Sequence, residues 1–303
     1  MKMMLRKFFK IFMIFMITLL SVAVIHGQEK TSNPGKSFLW QVEGTAGKSY
    51  LLGSIHLLKK EHYPLKKIIE DCFAQAGVLA VEADVSAKNM ANVGMTVLLK
   101  GMYQGEESLK NNLSEKTYQL TEKKLKELGM DIQGFQKFKP WMMAMTISTL
   151  ELMKLKFDPN YGIDKYFLEK AIDKKEIAEL EGLDFQINLF ESFSKEEMDK
   201  FLLSSIIEAD QTEKEIETLF NAWFTGDTEK IGKNITENIS KYPDLSAMYK
   251  KILDNRNENM SEKIISYLKS NKKYFIIVGA AHMVGKKGII QLLKEKGFTV
   301  TQL

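Results

Sequence analysis

Cysteine and arginine are scarce in this chain of 303 residues, and each shortage excludes something. The single cysteine, Cys72, cannot form a disulfide within the chain, so the fold must be stabilised by its apolar core. Arginine occurs only at Arg6 and Arg256, although lysine is abundant. In so lysine-rich a chain, Arg256 suggests a site that needs a planar, bidentate hydrogen-bond donor. Composition alone explains Arg256 equally well as a surface residue that happens to be arginine.

The chain also lacks the sequence patterns of several large enzyme classes. It contains no P-loop, no glycine-rich dinucleotide fingerprint and no Gly-x-Ser-x-Gly nucleophile motif. Its formal net charge is +4, but residues 1–27 hold four basic residues and no acidic ones, so the remainder has equal numbers of both. This neutral remainder argues against a nucleic-acid partner.

The N-terminus has the pattern of a secretory signal peptide. A basic start at residues 1–10 precedes an apolar run of about 15 residues that ends near Ile25 and is followed by Gly27. We predict a signal peptide at residues 1–27 and a polar linker at 28–36. An uncleaved anchor is the alternative, because the apolar run approaches membrane-spanning length. The protein is expected to be exported, periplasmic or extracellular, and to contact a membrane only through this segment if it stays uncleaved.

The rest of the chain alternates short apolar strands with helices, which predicts an α/β fold. We expect one domain at residues 37–303, with a mixed sheet formed by its N- and C-terminal parts and a helical lobe inserted at about 86–173 and 183–270. Residues 37–55 predict a β-hairpin with a four-residue turn. Residues 48–84 predict a strand–helix–strand unit, whose right-handed crossover makes its two strands parallel.

Two strand ends share the pattern Gly-x-x-His. They are Gly53-Ser54-Ile55-His56 and Gly279-Ala280-Ala281-His282. The glycine lets the backbone turn sharply, and the histidine then lies just beyond the carboxyl edge of the strand, where open α/β sheets bind ligands. Glu82 ends a further strand, and we expect it at the same edge of the sheet.

Two imidazoles and a carboxylate are a common ligand set for a divalent metal ion that keeps a position open for water. We therefore predict that His56, Glu82 and His282 bind such an ion. A further acid is needed to move a proton. The candidates for this acid are Asp84, Glu181 and Asp164. The competing interpretation is a structural histidine at each strand end, which the repetition of the motif in a histidine-poor chain makes weaker.

Taken in order, these motifs resemble those of the TraB/PrgY/GumN family, in particular its bacterial GumN-like branch. The segments that carry the resemblance are Leu52–His56, Tyr63–Leu65, Val81-Glu82, Gly162–Asp164, Leu180-Glu181, Arg256-Asn257 and Val278–His282. The family is similar to the Tiki proteins, which are metal-dependent proteases, and more distantly to erythromycin esterase and to ChaN-like haem-binding proteins.

The resemblance implies a divalent-metal-dependent hydrolase, most simply a peptidase, with manganese, cobalt or zinc at His56, Glu82 and His282. It also implies catalytic roles for Glu82, Glu181 and Arg256, the last of which suits a substrate carboxylate or an oxyanion. The expected partner is a peptide or protein substrate. Two alternatives remain open. One is a non-catalytic protein that binds a peptide or haem in the same cleft, and the other is a metal-free, esterase-like hydrolase with His56 or His282 as general base.

Overall fold

The computed structural model describes residues 35–86, 88–209 and 213–303. The predicted signal peptide, residues 1–27, and most of the predicted linker, residues 28–36, lie outside the described residues. Within the part that is described, no helix is long and apolar enough to cross a membrane.

One mixed sheet of six strands forms the centre of the domain, in the order β4-β3-β5-β2-β1-β6. Its strands are β1 (Leu39–Gly44), β2 (Gly47–Ser54), β3 (Val78–Val81), β4 (Glu176–Glu179), β5 (Tyr274–Gly279) and β6 (Val300–Gln302). The strands β2, β5, β3 and β4 run parallel, while β1 is antiparallel to both β2 and β6. The predicted α/β fold class is confirmed, and strands from both ends of the sequence share the sheet.

Helices cover this sheet and build the lobe between β3 and β5. They are α1 (Lys67–Gln75), α2 (Met90–Gly101), α3 (Glu115–Glu127), α4 (Pro140–Lys154), α5 (Ile163–Ala171), α6 (Leu183–Glu191), α7 (Lys195–Glu208), α8 (Glu213–Phe224), α9 (Thr228–Lys241), α10 (Ser246–Tyr249), α11 (Arg256–Leu268), α12 (Ala280–Met283) and α13 (Ile289–Glu295). A π-helical turn, Lys250–Asn255, joins α10 to α11. In the lobe, α4 packs against α7.

The parallel strands are apolar because both of their faces are covered. All residues of β5 are buried, and so are the residues of β2 from Ser49 to Ser54. The crossover through α1 makes β2 and β3 parallel, as predicted, but the two strands are not neighbours, because β5 lies between them. The carboxyl ends of three strands therefore lie side by side at one edge of the sheet.

Two turns differ from the sequence prediction. The hairpin ladder continues to the pair Gly44–Gly47, so the loop has only residues 45–46 rather than four residues. The sequence also predicts a helix over residues 285–296, but the helix begins only at Ile289, because Gly285 adopts a φ of 86° and ends the preceding segment in a turn. Gly44 and Gly47 therefore belong to the strands rather than to the loop, and Gly285 belongs to a turn rather than to the helix.

Gly162 allows the start of α5 to press against the first Gly-x-x-His motif. A Cβ atom on Gly162 would lie 2.3 Å from the backbone oxygen of His56. The next residue, Ile163, donates its backbone N–H to the Ile55 oxygen at 3.0 Å. This close approach of two backbones brings Asp164, in the first turn of α5, to the side chain of His56.

The substitution Gly162→Ala tests this approach. The added methyl group forces the two backbones apart, and we expect the free energy of unfolding to fall by about 1–3 kcal/mol in urea denaturation. Gly134→Ala is the matched control, because a Cβ atom there meets no atom within 4 Å. The control should stay within about 0.5 kcal/mol of the parent protein. Equal effects of the two substitutions would contradict a tight contact at Gly162.

Glu208, the last residue of α7, is a carboxyl group buried inside the lobe, with 7% of its surface exposed. Burial raises the pKa of Glu208 to about 7, although Lys241 and Tyr242 act in the opposite direction. The folded protein therefore keeps this proton in a pH range where the unfolded chain has lost it. The contribution of Glu208 to stability is lost as the pH rises from its ordinary pKa to about 7.

We expect Glu208→Gln to remove this pH dependence. The neutral amide avoids the cost of burying a charge, so above pH 7 the free energy of unfolding should rise by up to about 3 kcal/mol. At pH 4, where the parent carboxyl is already protonated, the two proteins should be equally stable. Urea denaturation at both pH values measures the difference. An equal effect at pH 4 and pH 8 would contradict the raised pKa.

Candidate functional site

Three side chains that the sequence singles out meet at the carboxyl edge of the sheet. His56 follows β2, Glu82 follows β3 and His282 follows β5, which lies between these two strands. Their exposed fractions are 2%, 0% and 1% respectively. The parallel register pairs Ser54 with Gly279, so the two Gly-x-x-His motifs leave neighbouring strands offset by one residue. The strand ends that carry the two motifs and Glu82 are therefore neighbours at one edge of the sheet.

His56 is held by a carboxylate on one side of its ring. Its Nδ1 atom lies 2.7 Å from Oδ2 of Asp164, and the other oxygen of Asp164 accepts a hydrogen bond from Ser54 Oγ at 3.1 Å. On the other side, Nε2 is buried and has no hydrogen-bond partner among the described residues. Burial is the largest influence on the pKa of His56 and lowers it, but the negative charges of Asp164 and Glu82 together outweigh burial and the charge of Arg256, so the net pKa is raised.

His282 lies in the short helix α12, one turn beyond the glycine that ends β5. Its Nδ1 atom is 2.6 Å from Oδ1 of Asn257, and Nδ2 of Asn257 donates to the backbone oxygen of Lys287 at 2.8 Å. The pKa of His282 is lowered well below its ordinary value by burial first, and then by the positive charges of Arg256 and His56. This imidazole therefore stays neutral near physiological pH.

Both carboxylate oxygens of Glu82 accept hydrogen bonds from the protein. Oε1 accepts from the backbone N–H of Gly279 at 2.7 Å, and Oε2 accepts from Arg256 Nη2 at 2.6 Å and from Gln186 Nε2 at 3.1 Å. Burial raises the pKa of Glu82 to about 7, whereas Arg256 lowers it and Glu181 raises it further. Glu82 therefore links the end of β3 to the second motif and to the helical lobe.

Arg256 joins two acidic side chains that follow neighbouring strands. Its Nε atom donates to Glu181 Oε1 at 2.9 Å, and its Nη2 atom donates to Glu181 Oε2 at 2.7 Å as well as to Glu82. Nη1 donates to the Ile252 oxygen within the preceding π-helical turn at 3.4 Å. The guanidinium is buried, which rules out the chance surface position. Its donors are used inside the protein in this arrangement rather than presented to a substrate.

Gln186 belongs to this network, although sequence reasoning did not select it. Its Nε2 atom bridges the carboxylates of Glu82 and Glu181, at 3.1 Å from an oxygen of each. Its Oε1 atom is buried without a hydrogen-bond partner among the described residues. Gln186 belongs to no recognisable sequence motif, so only its hydrogen bonds to the two carboxylates in the folded structure reveal its role.

The candidate acids of the sequence analysis separate into two groups. Asp164 and Glu181 lie in the site, as described above. Asp84 does not, since its Oδ1 accepts from the backbone N–H of Ser86 at 2.9 Å and its Oδ2 from Asn89 Nδ2 at 2.7 Å. Asp84 therefore organises the loop before α2.

A further histidine of the described chain, His62, lies away from these groups. Its ring packs against the rings of Phe220 and Phe224, with centroid distances of 5.9 and 4.9 Å. Its Nδ1 atom accepts a hydrogen bond from the backbone N–H of Lys59 at 3.1 Å. His62 therefore serves as a reference histidine outside the site.

Two features of this geometry bear on the predicted metal site, and they point in different directions. Nδ1 of His56 lies in ion-pair contact with Asp164, and Nδ1 of His282 is hydrogen-bonded to Asn257, so each ring resembles that of a metal ligand, whose second nitrogen usually contacts a protein oxygen. Glu82 fits less well, because both of its oxygens already accept hydrogen bonds. Among residues 35–86, 88–209 and 213–303, no group of three or more His, Cys, Asp or Glu side chains is arranged to hold a metal ion. A site formed by His56, Glu82 and His282 together stays a prediction.

Sequence comparison agrees with the order of these motifs. The sequence pattern of the TraB/PrgY/gumN family matches residues 38–302, nearly all of the described chain. The chain belongs to the TraB/PrgY/gumN family. The resemblance inferred from the separate motifs is thereby confirmed over the whole domain.

Relatives of the chain come from several organisms. "Uncharacterized protein YbaP" of Shigella flexneri is 23% identical over 81% of this chain and 88% of its own length. An "Uncharacterized protein" of Treponema pallidum is 22% identical over 85% of this chain and 80% of its own length. A "Metalloprotease TIKI homolog" of Amphimedon queenslandica is 39% identical over 17% of this chain and 11% of its own length. No solved structure matches the chain.

The buried network of Arg256 yields a stability prediction. Arg256→Met leaves the carboxylates of Glu82 and Glu181 buried without their guanidinium partner, and we expect a loss of about 3–5 kcal/mol in the free energy of unfolding. Adding Glu82→Gln and Glu181→Gln to this variant removes the unpaired charges and should restore part of the loss. Denaturation in urea measures both effects. A stability of Arg256→Met within about 1 kcal/mol of the parent would contradict the network.

Proposed function

We propose that this protein is an exported hydrolase of peptides or proteins that works with a divalent metal ion. The observation that carries the proposal is the buried Nε2 atom of His56, which has no hydrogen-bond partner among the described residues. Burying a polar nitrogen without a hydrogen-bond partner costs free energy of folding, and a bound ligand would recover that free energy. The relative named a TIKI metalloprotease supports the choice of a metal as that ligand. Export rests on the signal-peptide pattern of residues 1–27.

His56 and His282 would hold the ion through their Nε2 atoms. Asp164 and Asn257 occupy the Nδ1 side of the two rings, which leaves Nε2 as the nitrogen for a ligand. Imidazole nitrogen suits zinc and neighbouring divalent metals, among them the expected manganese and cobalt. When bound, such an ion polarises a carbonyl group and makes water a nucleophile near neutral pH.

Glu82 is the group that we assign to proton transfer. Burial raises its pKa to about 7 against the opposing effect of Arg256, so the carboxyl can change its protonation state near neutral pH. Oε2 already accepts from Arg256 and Gln186, whereas Oε1 accepts only from the Gly279 N–H among the described residues. The remaining lone pair of Oε1 is therefore the place where a proton from water would be held and from which it would pass to the leaving amine.

Glu181 and Arg256 support this step without touching the substrate. Arg256 bonds both carboxylates, so it stabilises the negative charge on Glu82 whenever the proton leaves. Glu181 accepts hydrogen bonds from Nε and Nη2 of Arg256 and so keeps the guanidinium in place. The catalytic assignments of Glu181 and Arg256 from the sequence become roles in orienting Glu82.

A metal-free hydrolase is the second candidate, and one observation favours it. His56 and Asp164 form a buried imidazole–carboxylate pair at 2.7 Å, and the pKa of His56 is raised in spite of its burial, because Asp164 attracts the proton. A histidine backed by a carboxylate is the arrangement of a general base in many hydrolases. In this case Nε2 of His56 would take a proton directly from water or from a hydroxyl group.

The proposal is tested by measuring metal content and peptide hydrolysis of the purified protein. Supplied with manganese, cobalt or zinc, the parent protein should retain metal after gel filtration and cleave members of a broad peptide library. His56→Ala and His282→Ala each remove one nitrogen ligand and should reduce both metal retention and hydrolysis by at least about 100-fold. His62→Ala is the matched control, because His62 packs among phenylalanines outside the site, and it should behave like the parent.

Chelation separates the two candidates. Exhaustive treatment with a strong chelator should abolish hydrolysis, and added metal should restore it. Hydrolysis that survives chelation but is lost in His56→Ala would favour the metal-free general base. A protein that retains none of the three metals and cleaves no peptide of the library would contradict both candidates.

A further inference from the structure

The two motif histidines have the same spacing from the glycine of their motif but different partners at Nδ1. For His56 the partner is the carboxylate of Asp164, at 2.7 Å, and for His282 it is the amide oxygen of Asn257, at 2.6 Å. These partners come from unrelated places, the first turn of α5 and the first turn of α11. Two separate helices thus each place an oxygen atom next to Nδ1 of a motif histidine, so we ask what these oxygens do to the protonation of the two rings.

The hydrogen-bond partners decide which nitrogen of each ring carries the proton. An ionised carboxylate only accepts, so Nδ1 of His56 must carry the hydrogen that faces Asp164. Asn257 could in principle present either end of its amide. Its Nδ2 atom, however, donates to the backbone oxygen of Lys287 at 2.8 Å, which turns Oδ1 toward His282. Nδ1 of His282 is therefore also the protonated nitrogen, and in the neutral form of each ring Nε2 carries the lone pair.

Asp164 and Asn257 are themselves fixed before any ligand arrives. Both are 3% exposed. Ser54 Oγ donates to the oxygen of Asp164 that faces away from His56, at 3.1 Å. The backbone oxygen of Lys287 holds the amide of Asn257. Neither partner can rotate without losing a buried hydrogen bond, so each keeps its histidine in one tautomer and one orientation.

We propose that Asp164 and Asn257 are positioning residues that hold both motif histidines in the Nδ1–H tautomer, so that the two Nε2 lone pairs serve a common ligand. The ligand is the metal ion of the proposed function, on which this part of the inference rests. The two residues act through His56 and His282 and need not touch the substrate. Asn257 thereby acquires a role separate from that of its neighbour Arg256, which orients Glu82.

The unequal partners predict unequal contributions to metal affinity. A carboxylate draws the Nδ1 proton more strongly than an amide oxygen and so makes the opposite nitrogen a better donor to a metal. Asp164→Asn keeps an oxygen acceptor for His56, and its amide can donate to Ser54 Oγ, so the pair becomes a copy of the His282–Asn257 arrangement. Asp164→Ala and Asn257→Ala remove the acceptor altogether.

Nitrogen-15 NMR of the histidine rings in the metal-free protein tests the tautomers directly. His62 is the internal reference for the opposite tautomer, because its Nδ1 accepts the Lys59 N–H and its proton must lie on Nε2. At a pH above the raised pKa of His56, where the ring is neutral, we expect His56 and His282 to show a protonated Nδ1 and an unprotonated Nε2, the reverse of His62. A protonated Nε2 in either motif histidine at that pH would overturn the inference. Signals are assigned from their loss in His56→Ala and His282→Ala.

Titration of the same proteins with Co²⁺, followed by its absorption spectrum, measures the effect on a bound metal. Asn257→Ala and Asp164→Ala should each weaken Co²⁺ binding by about 10- to 100-fold, and Asp164→Asn by less than Asp164→Ala. Asn257→Ala should also release His282 from the Nδ1–H tautomer in the NMR spectrum. Unchanged affinity together with an unchanged tautomer in Asn257→Ala would overturn its positioning role.

The two readouts distinguish failure of this inference from failure of the proposed function. A parent protein that binds no Co²⁺ contradicts the metal-dependent function and the common metal ligand together. If its histidines nevertheless show the expected tautomers, and Asn257→Ala alters that of His282, the positioning roles of Asp164 and Asn257 are supported independently. Exposed Asn221 on α8 provides the control substitution, since Asn221→Ala should change neither the tautomers nor the affinity.

Discussion

The candidate site depends on one buried guanidinium. Arg256 bonds the carboxylates of Glu82 and Glu181, which follow the neighbouring strands β3 and β4, and Glu82 in turn accepts the N–H of Gly279 at the end of β5. A buried ion pair of this kind adds little net stability compared with apolar packing, but its geometry is demanding. Its value here is positional, because it fixes three strand ends and the start of α11 relative to one another.

The π-helical turn before α11 accompanies this arrangement. Such turns are rare and occur frequently at functional sites. Two successive side chains of a helix point in directions about 100° apart. Arg256 therefore reaches the carboxylates of Glu82 and Glu181 while its neighbour Asn257 reaches His282, and both side chains are buried. One short segment therefore organises both the acidic and the histidine parts of the site.

Much of this fold follows from patterns that are local in the sequence. Short apolar runs mark buried parallel strands, and right-handed crossovers place their carboxyl ends at one edge. His56, Glu82 and His282 therefore follow three neighbouring strands at that edge. The hydrogen-bond partners of these side chains could not be predicted from sequence spacing. Gln186 carries no motif, and the place of β5 between β2 and β3 depends on long-range pairing. The use of Glu82 as an acceptor of three hydrogen bonds depends on the packing of α6 and α11, which sequence spacing does not encode.

The central claim is that His56 and His282 present their Nε2 atoms to one metal ion. Anomalous diffraction from crystals of the protein grown with zinc tests this claim most directly. The account predicts a single strong anomalous peak in the site at about 2.1 Å from Nε2 of both histidines, with Asp164 and Asn257 still bonded to their Nδ1 atoms. A zinc peak on other side chains, or no peak between these two histidines at saturating zinc, would contradict it.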